Sequence, residues 1–457
     1  MKVNQMQRNL NPGKMTMFSG RDLFKLIVPL IIEQFLAVMV GMVDTMMVSH
    51  VNEFATSAVS TVDTINILLI NLFSALGAGG SVVAAMYLGH KDEEKACKAA
   101  KQLIYSSIAL SGIIAVLAIA LNTVIIEGCY GSLNTETKEM CKVYFFYSAL
   151  SYPFLGIYNG GVGVLRAQGD SKSSMVTSLI MNVINIGGNA LLIHPLQMGV
   201  AGAAIASLLS RAVSAVIIMV LLCKPERRIH LIDPLRPEWD WRMIRRILAI
   251  GLPNGLENSL FQLGKLLIMV IITTLPSYMI ASNAALNAIS SFPNIPGSAI
   301  CLAVVTVIGQ CVGAGDEKQA RAYGFKMMVL MYLAVLPLNI IILIGAPFFH
   351  TLFNLSSEAM VCAVDIQYVY CFYSLTIWAL SFGLPAILRS AGDAKYTMIV
   401  SIISMLVLRV GLSFVLVYVF DLQLLGVWLA MFADWLARGV FFMWRFMGDK
   451  WLHKKVI

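Results

Sequence analysis

The chain repeats itself at a spacing of about 224 residues, and this duplication narrows the folds open to it. Leu165-Arg166-Ala167-Gln168-Gly169-Asp170-Ser171-Lys172 returns as Leu388-Arg389-Ser390-Ala391-Gly392-Asp393-Ala394-Lys395, 223 positions later. Leu88-Gly89 with Asp92, Glu93 and Ala96 returns as Val312-Gly313 with Asp316, Glu317 and Ala320, at 224. Pro29 with Glu33-Gln34 returns as Pro253 with Glu257-Asn258, again at 224. Gly199-Val200, Ala203, Ala206, Leu209 and Arg211 return as Gly426-Val427, Ala430, Ala433, Leu436 and Arg438, at 227. Solenoid repeats have periods of roughly 20–50 residues. A unit this long is a duplicated bundle.

The environment of that bundle follows from composition. The chain is 58% hydrophobic and 13% charged, against roughly 25% charged in an ordinary soluble protein. Apolar runs long enough to cross a bilayer recur along the whole length. They predict twelve spans, near 24–50, 55–87, 102–126, 141–164, 173–193, 198–222, 247–275, 280–312, 325–349, 361–387, 396–419 and 424–446. The expected fold is an all-α polytopic membrane protein, with twelve transmembrane helices in two pseudo-symmetric six-helix lobes. The amino-terminal lobe covers 1–222, a connector 223–246, and the carboxyl-terminal lobe 247–457. Met1 to Gly20 is polar and basic and runs straight into a full span, so no cleavable signal is expected.

Positive charge sets the orientation. The amino terminus holds Lys2, Arg8, Lys14, Arg21 and Lys25, and the loop between spans 2 and 3 holds Lys91, Lys95, Lys98 and Lys101. Arg166 and Lys172 follow span 4, and Lys224, Arg227, Arg228, Arg236, Arg242, Arg245 and Arg246 fill the connector region. Lys318, Arg321 and Lys326, then Arg389 and Lys395, then Arg445, Lys450, Lys454 and Lys455 complete the pattern. These are 27 of the 33 basic residues, and the alternate loops hold only Lys138 and Lys142. The positive-inside rule places both termini in the cytoplasm of a multi-pass plasma-membrane protein. The net charge of +8 is then an inner-surface charge and does not call for nucleic acid. Six spans per copy give both copies the same orientation, related by an axis along the membrane normal, with a substrate cleft between them.

Enzyme chemistry is absent from the sequence. No Gly-x-x-x-x-Gly-Lys-Ser/Thr loop exists, so the chain carries no ATPase of its own. Gly77-Ala78-Gly79-Gly80 lies inside a span and reads as a close helix crossing or kink. The histidines at 50, 90, 194, 230, 350 and 453 do not cluster, which argues against a metal site. The cysteines at 97, 129, 141, 223, 301, 311, 362 and 371 have no metal-type spacing and read as buried free thiols. A disulfide between Cys129 and Cys141, at the ends of one outer loop, is the alternative. Three prolines, Pro225, Pro234 and Pro237, keep the connector from being one helix, and Trp239 and Trp241 suit a membrane interface. Transport energy must come from an ion gradient or from the substrate's own gradient.

Charges inside the spans concentrate the functional expectations, because each costs on the order of 2.5–3.5 kcal/mol on insertion scales. They are Glu33, Asp44, Asp63, Glu257 and Asp434, with Arg211, Lys265, Arg409 and Arg438. Asp434 and Arg438 lie four apart on one helix face and are expected to neutralise each other. Arg211 is expected to snorkel toward the inner surface, and Asp63 to reach water at the outer end of span 2. Glu33 and Asp44 are eleven residues apart, so they share one face of span 1 about 16 Å apart along its axis. Met39, Met42, Met46 and Met47 flank them. The repeat mate of Asp44 is Ile268, so the halves are expected to do different work. Glu33 and Glu257 are mates, expected to draw an organic cation from two sides of the cleft. Lys265, two turns past Glu257, is expected to neutralise it in part.

The two six-span copies, the Leu-Arg-x-x-Gly-Asp-x-Lys repeats and Val43-Asp44-Thr45 late in span 1 resemble the multidrug and toxic compound extrusion (MATE) transporters, within the superfamily that also includes lipid and polysaccharide flippases. The resemblance covers nearly the whole chain. It implies a V-shaped secondary exporter, working by alternating access, that exchanges amphipathic and often cationic organic compounds for Na+ or H+. It implies no cofactor, no nucleic acid, contact with membrane lipid, and a monomer. By resemblance the ion-coupling site falls on Asp44, Asn185, Asn189 and Ser207, whose oxygens suit a hard cation such as Na+ or surround a protonated carboxyl. The substrate cleft is assigned to Glu33, Glu257 and Lys265. The sequence departs from the family at Asn189, where the DinF-like branch has a second acid, and at Phe261, where the NorM-like branch has its span 7 acid. No carboxylate lies between Phe372 and Leu388, where that branch has another. A flippase of a lipid-linked saccharide or another lipid is the alternative function, favoured by Lys265 and Arg409.

Overall fold

The structure is a computed structural model that describes residues 17–457 except 52, 131, 132, 194, 235, 237 and 455. Lys2, Arg8, Lys14, His194, Pro237, Lys455 and the side chain of Cys129 lie outside the described residues. The six long helices of the first half are α1 (Gly20–Ser49), α2 (Glu53–Gly89), α3 (Glu93–Ala120), α4 (Thr135–Ala167), α5 (Ser171–Ile193) and α6 (Gly199–Leu222). The second half repeats them as α7 (Trp241–Thr273), α8 (Ser277–Gly313), α9 (Glu317–Thr351), α10 (Ser357–Ser390), α11 (Ala394–Tyr418) and α12 (Gln423–Met447). Eleven of these are apolar enough along an 18-residue window to cross a membrane on composition alone. The twelfth, α4, is diluted by tyrosine, serine, asparagine and glycine yet is a continuous 33-residue helix.

Helix starts differ most from expectation at α3 and α9. Both begin eight or nine residues before the apolar run, because a polar first turn is stabilised by a cap. Asp92 accepts from the Lys95 amide and Asp316 from the Gln319 amide. The third span also stops sooner than expected, at Ala120, and a short helix, Asn122–Cys129, follows it.

The sequence repeats are helix-end devices. After α4 the chain turns through Gly169 at φ +85°, and after α10 through Gly392 at φ +91°. Asp170 N–H donates to the Leu165 carbonyl and Asp393 N–H to the Leu388 carbonyl, each at 2.9 Å. Gly169 and Gly392 donate to the Arg166 and Arg389 carbonyls, also at 2.9 Å. This is a Schellman-type ending, which needs a residue tolerant of positive φ. The acid that follows each turn anchors the segment leaving its lobe. Asp170 pairs with Arg227 of the connector, and Asp393 with Arg445 at 2.7 Å and Lys454 at 3.3 Å. Burial works against ionisation of Asp170, but the Ser173 and Arg227 hydrogen bonds outweigh it and hold the carboxyl below the usual carboxylate range.

The connector is therefore docked on the first lobe. Ile229 and Leu231 are buried in that lobe's core. Tyr105 Oη donates to the Pro234 and Arg236 carbonyls at 3.0 and 2.9 Å, and Trp239 stacks on Trp241.

Two hydrophobic cores form, one per half, and the first helix of each half contributes to the other half's core. Leu23, Leu26, Ile27 and Leu30 of α1 pack into the second core. Met243, Ile247 and Ile250 of α7 pack into the first. Pro29 and Pro253 lie at the far end of these crossing segments. A proline inside a helix removes one backbone hydrogen bond and favours a bend there.

The lobes meet tightly near the face that carries the connector and the described chain ends. A methyl group on Gly89 would overlap the Gln310 carbonyl, and one on Gly313 the Met86 carbonyl. Gly79 abuts Gly251 and Ile247, and Gly77 abuts the Asn159 backbone. The Gly77–Gly80 run is thus a close crossing, as expected from the sequence. Gln310 Nε2 donates to the Ala167 carbonyl at 2.9 Å and Thr306 Oγ1 to the Arg166 carbonyl at 2.5 Å, tying α8 to the end of α4. Toward the opposite face the packing loosens. Met39, Met42 and Met46 of α1 are exposed, whereas α2 is almost wholly buried from Phe73 to Gly89. The lobes are closed on each other at the basic face.

Candidate ion-coupling and substrate sites

The first lobe encloses a polar pocket in an otherwise apolar bundle. Asn182, Asn185 and Asn189 fall on one face of α5 by helical spacing and are all buried. Asn189 Nδ2 donates to Asp44 Oδ1 at 2.7 Å. With its amide nitrogen turned to the carboxylate, Asn185 donates to the two Asp44 oxygens at 2.8 and 3.0 Å and accepts from Ser207 Oγ at 3.1 Å. Asp44, Asn185, Asn189 and Ser207 therefore lie together, as the resemblance implied.

The amide nitrogens of Asn185 and Asn189 face Asp44 and donate to its carboxylate, and Asn189 Oδ1 is left without a hydrogen-bond partner. Together the two side chains give Asp44 three amide hydrogen bonds. No lysine or arginine lies within ion-pair distance of Asp44 among the described residues.

The pocket extends further than the sequence suggested. Asp63 of α2 is half-buried there and accepts from Asn66 Nδ2 at 3.1 Å and Tyr144 Oη at 3.4 Å. Tyr152 Oη donates to Asn66 Oδ1 at 2.8 Å. Arg211 does not snorkel to the inner surface. Its Nη1 donates to Ser151 Oγ at 2.7 Å, and its charge acts on both Asp44 and Asp63. The signal for Arg211 was present in the sequence, since it repeats as Arg438, which also turns inward.

Glu33 and Glu257 differ from the expectation of cation-recruiting residues. Glu33 is only 4% exposed, pairs with Arg166 at 2.7 Å and accepts from Ser174 Oγ at 2.9 Å. Glu257 is 8% exposed, pairs with Arg389 at 3.0 Å and accepts from Ser401 Oγ at 2.8 Å. Each glutamate is consumed by the arginine of its own half's Leu-Arg motif, so neither offers a free charge to a cleft. Glu257 is thus neutralised by Arg389, while Lys265 lies over the Phe261 ring at 5.2 Å. The repeat held this signal too: glutamate and arginine were duplicated at nearly one offset, as a pair must be.

In the second lobe, Asp434 is fully buried and pairs with Arg438 at 3.3 Å, as their spacing predicts. Ser404 Oγ donates to Asp434 Oδ1 at 2.6 Å, and Arg409 lies 3.9 Å from Oδ2. Cys141 is a buried free thiol directed at the Ala58 carbonyl of α2.

A family model described as MatE matches residues 29–191 and again 253–415, each boundary displaced by 224 positions. The chain belongs to the MatE family. As a MatE protein it is a transporter and not an enzyme. It is 25% identical over 451 residues to a probable multidrug resistance protein NorM of Thermotoga maritima, covering 96% of this chain and 94% of that one. It is 26% identical to an uncharacterized transporter, YisQ, of Bacillus subtilis, covering 95% of each. Among solved structures it superposes on an outward-facing multidrug resistance MATE transporter with a TM-score of 0.87 at 22% identity, covering 95% of this chain and 96% of that one. A transporter of the MOP superfamily from Pyrococcus furiosus, described as having a binding pocket of reverse polarity that suggests a different function, matches with the same TM-score and coverage at 22% identity. These likenesses carry the fold: twelve transmembrane helices in two lobes.

Proposed function

We propose that this MatE protein is a secondary active exporter of amphipathic organic compounds, driven by Na+ or H+ through Asp44. The observation that carries this reading is the state of the acids within the spans. Glu33, Glu257 and Asp434 are each matched to an arginine, whereas Asp44 meets only neutral amide donors and its pocket neighbour Asp63 only Asn66 and Tyr144. A carboxylate poised that way can take up and release a small cation without breaking an internal ion pair. Asp44 is half-buried on α1, the helix that also carries the exposed Met39, Met42 and Met46. Cation binding at Asp44 and substrate binding in the cleft exchange if they favour different conformers, because a ligand shifts an equilibrium only by its differential affinity. The flexible thioethers of Met39, Met42 and Met46 supply an adaptable wall, which suits varied substrates. Multidrug resistance and export names among the relatives support the same reading.

The test is norfloxacin efflux from cells expressing the chain, with the Na+ and H+ gradients collapsed separately. Efflux lost on collapse of one gradient and kept on collapse of the other is expected. Efflux indifferent to both would overturn ion coupling.

A further inference from the structure

We infer that the second lobe holds a binding site for the anionic group, a phosphate or carboxylate, of an amphipathic substrate, built on Lys265 and Arg409. The inference rests on the exporter reading and specifies the substrate that the exporter takes.

The two halves diverged in charge at corresponding positions. The first-lobe pocket has two carboxylates, Asp44 and Asp63, and one guanidinium, Arg211. In the second lobe Ile268 stands at the mate of Asp44, Asp434 at the mate of Ser207 and Arg438 at the mate of Arg211. Lys265 and Arg409 arise where the first lobe has Gly41 and Ile186. The result is three cations around one carboxylate.

The geometry leaves that excess unanswered. One ring, Phe261, has Lys265 Nζ at 5.2 Å, Arg409 Cζ at 5.1 Å and Arg438 Cζ at 5.7 Å from its centroid. Cation–π contact stabilises a cation but leaves its charge in place. Asp434 is already held by Ser404 and Arg438, and can balance only one of the three. Arg438, 3% exposed, is matched by Asp434 at 3.3 Å, which leaves Arg409, 3.9 Å from that carboxylate, and Lys265 as the excess. Lys265 has no carboxylate within ion-pair distance among the described residues. Uncompensated charge inside a membrane bundle is costly and marks a site of function.

A cavity of about 270 Å³ opens on Lys265 and Arg409. Lys265, Arg409, Asn283 and Asn287 supply polar groups to its lining, and Met431 and Trp428 supply apolar wall. Trp428 Nε1 donates to Asn283 Oδ1 at 3.2 Å, which holds part of that lining in place. Arg409 sits in a π-helical stretch, Met405–Leu412, a widened turn of the kind common at functional sites. A guanidinium and an ammonium facing one cavity match the oxygens of a carboxylate or phosphate. The cavity is smaller than the roughly 300–1,000 Å³ that houses a whole drug-sized molecule. It therefore holds an end group, with the apolar remainder of the molecule lying in the cleft.

The test uses the purified full chain in nanodiscs and two matched fluorescent probes, anthracene-9-carboxylate and 9-(aminomethyl)anthracene. Wild-type protein should bind the carboxylate at least tenfold more tightly than the amine. Lys265→Met and Arg409→Gln should each weaken carboxylate binding tenfold or more and leave the amine unchanged, while Lys265→Arg retains binding. Monodisperse elution of each variant verifies folding. Repeating the titration in phosphatidylglycerol and in phosphatidylcholine nanodiscs identifies the source of the anion. Competition by phosphatidylglycerol that Lys265→Met abolishes assigns the site to a lipid headgroup, and equal binding in the two assigns it to a soluble anion; both support it. No preference for the carboxylate, or a preference that survives Lys265→Met and Arg409→Gln, overturns the inference. Asp44→Asn should leave this binding intact, so failure of ion coupling and failure of the anion site are read separately.

Discussion

Replacing Glu257 by glutamine removes one charge from a buried pair and should destabilise the second lobe in a way that only one further substitution repairs. Breaking a buried ion pair by removing one partner costs roughly 3–5 kcal/mol, mainly because the other charge is left uncompensated. Here Arg389 keeps 23% of its side chain exposed, and a glutamine oxygen still accepts from Ser401, so the expected cost is about 2–3 kcal/mol. Removing the orphan as well, in Glu257→Gln with Arg389→Met, should restore most of it. Glu257→Gln with Lys265→Met should not, because Lys265 is not the partner of Glu257. Thermal loss of the monodisperse peak in detergent, followed by fluorescence-detected size exclusion, reads the four proteins side by side. Rescue by Lys265→Met and none by Arg389→Met would refute the pairing described here.

Three further outcomes follow from the same coordinates. Glu33→Gln should be rescued by Arg166→Met on the same assay, since the first-lobe pair at 2.7 Å is the repeat mate of the second. Gly89→Val should disfavour the closed basic face, because its side chain would meet the Gln310 backbone; an overpacked contact costs roughly 1–3 kcal/mol, and thiol labelling of a cysteine at Met42, exposed in this conformer, should slow as the conformer is depopulated. A cysteine at Arg236 should resist impermeant thiol reagents in intact cells and react after permeabilisation, and ready labelling in intact cells would reverse the expected topology.

Much of the architecture was legible because it is written in chemistry that acts locally. The twelve apolar runs specify the long helices, and the repeated Leu-Arg-x-x-Gly-Asp-x-Lys segments mark corresponding points in the two halves. Starts such as Glu93 and Glu317 were missed because a cap, not hydropathy, decides where those helices begin. Asp44, Asn185, Asn189 and Ser207, assigned to ion coupling by resemblance and proposed here for that role, are gathered by the structure. What stayed hidden was partnership across the bundle. Nothing within thirty residues of Glu33 says that Arg166 will reach it, and Lys265 looked like the neighbour of Glu257 because both lie on α7. The sequence distance from Glu257 to Arg389 is large, but the duplication of both residues at almost one offset marked them as a unit. Arg211 was misplaced for a related reason. Its depth along α6 suggested escape to the surface, whereas the polar pocket of Ser151, Asp44 and Asp63 gives it a better environment inside.

The central claim is that Asp44 couples substrate to an ion, and one measurement addresses it most directly. The full chain and its Asp44→Asn variant are reconstituted into proteoliposomes, and Na+ and H+ movement is recorded when norfloxacin is added to one side. The wild type should move one of these ions against the substrate. The variant should bind norfloxacin with little change, elute as a folded monodisperse protein, and show no substrate-triggered ion movement. Undiminished exchange in Asp44→Asn would contradict the account.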